Sequence, residues 1–224
     1  MDWVAVGLSV RLAVLTTVIL VIFAVPLAAW LAFSNRRWTV VVEAVVALPL
    51  VLPPTVLGYY ILVALGNRSP IGQWWVSWTG MPLAFSFTGL LVASVLYSLP
   101  FAVQPLIAAF VTVDRRLIEA STVLGRSWWA TILRVVLPLS RTGLTTAAVL
   151  TFAHTIGEFG VVLMVGGNIA GETRTIAISV YDSVQAFDYA TAGTTSLWLL
   201  LFSVVVLAVT YGLNRKGRTT WPRV

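Results

Sequence analysis

From Leu12 to Phe33 the chain carries no charge and is almost wholly apolar, and four further stretches of that kind follow it. No other feature limits the possible folds so strongly, because about 20 such residues wound as a helix cross the roughly 30 Å hydrocarbon core of a bilayer. The later stretches are Ala44 to Leu65, beginning just after Glu43; Phe85 to Val111; Thr142 to Val165, interrupted by His154 and Glu158; and Ala190 to Leu213. In lipid every backbone amide needs a partner inside the protein, which leaves helices or a closed barrel. Runs this long, without strict alternation of apolar and polar residues, read as helices. The expected fold is therefore an all-α integral membrane protein of about five transmembrane helices, one domain over residues 1–224 (spans about 12–33, 44–65, 85–111, 142–165 and 190–213). Composition agrees: 59% of residues are hydrophobic and 10% charged, against roughly 45–50% and 25% in soluble domains.

Several chemistries drop out. The chain has no cysteine, which removes disulfides, thiolate metal sites and thiol catalysis, and its single histidine cannot supply a His-rich metal site. The formal charge of +6 could indicate nucleic acid as a partner, but the placement of the basic residues has a simpler cause. With the N-terminus outside, the inner connections hold Arg36, Arg37, Arg115, Arg116, Arg126, Arg134, Arg141, Arg215, Lys216, Arg218 and Arg223, or 11 of 14 basic residues. Arg68 and Arg174 stay outside, and Arg11 marks the outer boundary of the first span. The positive-inside rule thus predicts an N-out, C-in chain with the lipid membrane, and not nucleic acid, as its surroundings. The N-terminus does not read as a cleavable signal, since Asp2 stands where a basic residue belongs and the apolar run, ending at Asn35-Arg36-Arg37, is too long. Thr175 to Ala190, short and carrying Asp182 and Asp188, is expected outside or dipping partly into the membrane.

Prolines 26, 49, 53, 54, 100 and 105 fall in or beside spans, where each removes a helix hydrogen bond. Clustering in LPLVLPPTVLG predicts a bent or broken second span, with Pro53 and Pro54 as candidates for lining a pathway. His154 and Glu158, four residues apart, share one helix face. An ionisable group within a span faces the bundle interior or water. Two readings stay open for Glu158: a solvated or Arg174-paired residue near the outer end, or a group that orders helix packing or an outer gate. Gly157 and Gly160 would permit close helix approach beside it. The pair lacks the second His of H-E-x-x-H and has no nucleophile motif, so an intramembrane hydrolase is only a remote alternative. Residues 67–82, with Trp74, Trp75 and Trp78, suit the headgroup region.

Between the third and fourth spans lies a polar loop, residues 112–141. Asp114 is placed to cap a helix. Leu117, Ile118, Ser121 and Leu124 recur at helical spacing, and Gly125 can end the helix in a left-handed turn. A second helical piece, Ser127 to Leu137, carries Trp128 and Trp129, and Pro138 marks the junction with the next span. On these residues alone an amphipathic helix lying on the inner leaflet fits.

The run EASTVLG followed by VVLP resembles the EAA loop of importer-type ABC transporter permeases. Glu119, Ala120, Gly125, Leu137 and Pro138 match in register, while Ser121 replaces an Ala and Val135 an Ile. The resemblance implies that Glu119, Ala120, Ser121, Leu124, Gly125, Leu137 and Pro138 form a coupling helix that docks on a separate ATPase. It extends, through ALPLVLPPTVLGYYILV and IGEFGVVLMVGGNIAGETRT, over residues 5–214 and is strongest to molybdate permeases, with sulfate and tungstate permeases closely related. It implies a homodimer forming a translocation pathway in the bacterial inner membrane, two cytoplasmic ATPase subunits that use ATP and Mg, and a periplasmic oxyanion-binding protein touching Glu172 and Arg174. The chain has no G-x-x-x-x-G-K-[ST] loop, so it is expected to bind no cofactor, hold no metal and perform no covalent chemistry. A passive channel would leave the EAA-like loop unexplained. The 11 residues from Asn214 to Val224 are too few for an appended sensor domain.

Overall fold

The computed structural model describes residues 1–34 and 36–218, with side chains described as far as residue 212. Asn35 of the basic stop and Arg223 lie outside the described residues, as do the side chains of Arg215, Lys216 and Arg218. Helix α1 spans Trp3–Phe33, beginning nine residues before the expected boundary. Asp2 starts it, its carboxylate accepting from the amides of Val4 and Ala5 at 3.1 and 3.0 Å. Arg11 therefore lies inside this helix instead of at its boundary, its guanidinium 4.5 Å from the centre of the Phe87 ring.

The second span is broken, as its prolines imply. Between helix α2 (Thr39–Val51) and helix α3 (Pro54–Leu65) the chain bends by 113° across Leu52 and Pro53. Pro53 and Pro54 have no amide hydrogen to continue the ladder, and Pro54 is suited to the first turn of the new helix. Helix α4 (Pro70–Thr79) carries the Trp cluster; Trp75 packs inward while Trp74 and Trp78 are exposed. Helix α5 (Phe87–Phe110) crosses unbroken despite Pro100 and Pro105.

The polar loop holds α6 (Arg115–Val123), α7 (Trp128–Thr131), a π-helical segment (Ile132–Val136) and α8 (Leu137–Leu139). The fourth span is not continuous either: α9 (Arg141–Gly157) stops at Glu158, and α10 (Gly160–Gly166) takes over. Helix α11 (Ile176–Gln185) is ten residues, about 15 Å, which is too short to cross a bilayer. It is tied to the bundle by the Ile176 amide, which donates to Ser9 Oγ of α1 at 2.8 Å. Helix α12 covers Tyr189–Arg218. Before it, Asp188 accepts from the Thr191 amide at 3.1 Å, and the Thr191 hydroxyl and amide together hold its carboxyl below the ordinary range. Among the described residues three helices are long and apolar enough to cross a membrane, or up to five spans if α2 with α3, and Trp128–Leu139 with α9, each count as one bent span.

Helices α1 and α5 run in parallel, with Leu12 packed near Leu90 at one end and Leu20 to Leu31 among Ala102, Leu106 and Phe110 at the other. Helix α9 lies antiparallel against both. Its close approach to α5 depends on Gly143, where an added methyl would collide with the Ala109 methyl. Helix α12 is largely exposed, presenting Leu197, Trp198, Leu201, Val204 and Val205.

Candidate functional site

The polar loop is built as its sequence implies at three points. Asp114 caps α6 by accepting from the Arg116 amide at 2.9 Å. Gly125 adopts φ +73°, and the Arg126 amide reaches back to the Ser121 carbonyl at 3.1 Å, closing the helix with a left-handed turn. Ser127 Oγ then starts α7 by accepting from the Ala130 amide.

At two other points the structure departs from expectation. The apolar stripe of α6 divides: Ile118 and Ser121 turn inward, whereas Leu117 and Leu124 are exposed, Leu124 at 79%. The piece from Ser127 to Leu137 is not a plain α-helix, because its middle is π-helical, with the Leu137 amide donating to the Ile132 carbonyl five residues back. Pro138 has no amide to offer Arg134, so the helix widens just before it. The chain then turns by 82° at Ser140 into α9.

Ile132 and Val136, one turn apart, are fully buried in the main core with Phe110 and Val103. Trp128 meets Phe33 edge to face at 5.6 Å. The loop is therefore seated on the bundle by one face and presents the other. Glu119, Ala120, Leu124, Gly125 and Pro138 are on the presented face, while Leu137 is half-buried and Ser121 is buried. Glu119 has no ion pair among the described residues and borders a cleft of about 190 Å³ with Arg115, Ile118 and Trp128.

The two helix breaks touch. A methyl on Gly160 would come 2.7 Å from Pro54 Cβ, and one on Gly58 would come 2.9 Å from Met164 Cβ. Helices α3 and α10 thus pack with almost no side-chain spacing, and Pro54, Gly160 and Glu158 fall in one place. Pro53 is exposed beside them. Gly157 is also exposed and nothing lies within 4 Å of a Cβ there, so it does not provide the helix approach expected of it.

Of the two readings of Glu158, the solvated or Arg174-paired one is excluded. Glu158 is 4% exposed, and neither carboxyl oxygen has a hydrogen-bond partner among the described residues. Arg174 instead donates to Asn168 Oδ1 at 2.8 Å and lies 3.4 Å from Asp182, which also accepts from Asn168 Nδ2. With Thr173 Oγ1 donating to the Gly166 carbonyl and accepting from the Ile169 amide, the segment from 166 to 175 is latched onto α11. Glu172 is exposed, and its side chain has no partner among the described residues.

His154 faces α5, stacked on Phe101 at 3.9 Å with Nδ1 3.0 Å from Ser98 Oγ. Ser98 Oγ is also 3.1 Å from Thr155 Oγ1, which donates to the Thr151 carbonyl at 2.9 Å. All three bonds form at once if Ser98 donates to Thr155 and accepts from a protonated Nδ1 of His154. Neither Ser98 nor Asn168 was marked by the sequence. A hydroxyl inside an apolar run is a weak signal, and these contacts join residues far apart in the chain. The described residues contain no group of three or more His, Cys, Asp or Glu side chains that could hold a metal ion.

A bundle with broken spans and a loop seated on its core is the fold of ABC-transporter membrane subunits. The crystal structure of a bacterial ABC transporter involved in the import of the acidic polysaccharide alginate matches with a TM-score of 0.75 at 16% identity, covering 95% of this chain and 78% of that one. An amino acid ABC transporter matches at 0.58 and 14% identity, covering 95% and 92%. Residues 24–216 match the family described as binding-protein-dependent transport system inner membrane component, and the chain belongs to that family. Among its relatives, the molybdenum transport system permease protein ModB of Azotobacter vinelandii is 50% identical over 96% of this chain and 95% of its own length. Its counterparts in Haemophilus influenzae and Escherichia coli K12 are 34% and 37% identical, covering 96% and 82% of this chain and 95% and 80% of theirs. The protein is thus an inner-membrane transport component, and its relatives are permease subunits.

Proposed function

We propose that this chain forms the translocation pathway of an ATP-driven molybdate importer, as a homodimer whose N-termini face outward and whose C-termini face the cytoplasm. The observation that carries the reading is the 50% identity, over nearly the full length of both chains, to a molybdenum transport permease. Two ATPase subunits supply ATP hydrolysis with Mg, and a periplasmic binding protein delivers the anion. That role for a binding protein is supported by an ABC transporter of the same fold, whose crystal structure holds a substrate-bound periplasmic protein.

The presented face of α6 is the docking element. Glu119 is available to a basic group of the ATPase, and Leu124 and Val123, exposed at 79% and 86%, offer apolar contact. Because Ile132 and Val136 anchor the next segment in the core, displacement of α6 carries to α9 and onward to the break at Glu158. The touching breaks at Pro54 and Gly160 form the gate of the pathway. Glu172 contributes to the binding-protein contact, with Arg174 holding the segment in place.

The test is the assembled complex, with its ATPase and cognate binding protein, in proteoliposomes. Molybdate-loaded binding protein is expected to stimulate ATP hydrolysis more than sulfate- or tungstate-loaded protein. Greater stimulation by sulfate or tungstate would reassign the substrate, and anion flux without ATP would overturn the importer reading.

A further inference from the structure

We propose that Glu158 is a proton-binding site, held as a neutral carboxylic acid that donates its hydrogen to the Ser94 hydroxyl of α5. Three observations meet here. The carboxyl is 96% removed from solvent, since it is 4% exposed, and both of its oxygens lack partners. Ser94 Oγ, the polar group that α5 turns toward it, is fully buried and equally without a partner. An ionised carboxylate in such a place requires a counter-ion or several donors, and an unpaired one costs several kcal/mol or more.

No counter-ion faces it among the described residues. Arg174 is engaged by Asn168 and Asp182. Arg11 of α1 lies over Phe87. His154, one turn back on α9, directs Nδ1 to Ser98. From α5 the titratable neighbour is Tyr97, and α3 offers only the exposed Tyr59 and Tyr60. Backbone donors do not serve either, because no amide among the described residues makes a hydrogen bond to either carboxyl oxygen. One bound proton removes the charge, and it supplies a hydrogen that one oxygen and Ser94 can share.

The site lies where α9 gives way to α10, beside the Pro54–Gly160 contact. The acid is thus a positioning residue that fastens the break to α5. A consequence rests on the transport reading above: a neutral Glu158 adds no repulsion toward an anion passing the breaks.

The test is infrared spectroscopy of the assembled complex at neutral pH. The parent is expected to show a protonated-carboxyl C=O band that is absent in Glu158→Gln, and Ser94→Ala should move that band to higher frequency by removing its acceptor. Glu158→Gln, a neutral donor of similar shape, should keep uptake within about threefold of the parent, whereas Glu158→Lys should abolish it. No such band in the parent means an ionised Glu158 and overturns the proposal. A band unmoved by Ser94→Ala overturns the pairing, and loss of uptake by an assembled Glu158→Gln complex overturns the sufficiency of the neutral form. The spectrum needs no substrate, so a wrong choice of anion would leave it unchanged.

Discussion

The Ser121 hydroxyl lies 2.9 Å from that of Thr131, both buried at the seam between α6 and α7. Thr131 Oγ1 also donates to the Ser127 carbonyl, so Ser121 is the donor between the two hydroxyls. Ser121, the one departure from the EAA pattern within α6, thus faces the protein's own seam and not the presented surface.

Ser121→Ala removes that bond and leaves the Thr131 oxygen to its contact with Ser127, a loss of about 0.5–1.5 kcal/mol. Uptake and ATPase association should stay near parental values, with a small fall in the melting temperature of the purified complex. Ser121→Leu should release the seam and abolish ATPase association, which co-purification measures.

Gly125 is constrained by its backbone alone. Its φ is +73°, yet nothing lies within 4 Å of an added Cβ. A left-handed conformation costs a non-glycine residue about 1–2 kcal/mol, and Asn tolerates it best. Uptake should fall in the order Gly, Asn, Ala, Val. Equal activity of Asn and Val would show that conformation is not the constraint.

Glu119 is exposed and without an ion pair among the described residues, so its substitution leaves the fold intact. Glu119→Arg should give a chain that inserts and dimerises normally but supports no ATP-dependent uptake, measured by membrane-fraction yield against transport in the same vesicles.

At the breaks, Gly160→Ala places a methyl 2.7 Å from Pro54 Cβ, well inside normal contact. The rigid proline ring cannot give way, so α3 and α10 must part, at a cost of about 1–3 kcal/mol. Uptake should drop at least tenfold. Combining Gly160→Ala with Pro54→Gly should recover part of the loss, and strictly additive defects in the double variant would show that the two breaks act apart.

In the interior, Ser98→Ala leaves His154 Nδ1 and Thr155 Oγ1 each short of one bond across the α5–α9 contact. A buried donor left unmet costs about 1–3 kcal/mol. The expected result is a lower melting temperature with docking to the ATPase retained, and Ser98→Thr should restore much of the stability.

Much of this architecture was legible in the residues. Long uncharged runs set the helices, because lipid leaves the backbone no other partner. LPLVLPP marked the break after α2, because two consecutive prolines cannot continue a hydrogen-bond ladder. Asp114 and Gly125 set the limits of α6 through local capping and a local turn. Each of these rests on interactions within a few residues along the chain. The second break was less visible: His154 and Glu158 flagged the fourth span as unusual, but no proline showed that α9 would end at Gly157. The π-helical segment was not expected, although Pro138 supplies its cause.

What the chain places side by side was settled elsewhere. Pro54 meets Gly160, Ser98 meets His154, Ser121 meets Thr131, and Arg174 pairs with Asp182 instead of Glu158. A run of apolar residues has many helix faces that lipid would accept equally, so hydropathy does not choose which face turns inward. Gly143 against Ala109 and Gly160 against Pro54 make that choice, because close packing admits only the pairings in which small residues lie opposite bulk. The same packing closes Glu158 off from water and from every cation among the described residues, and burial of that kind is a property of the assembled bundle.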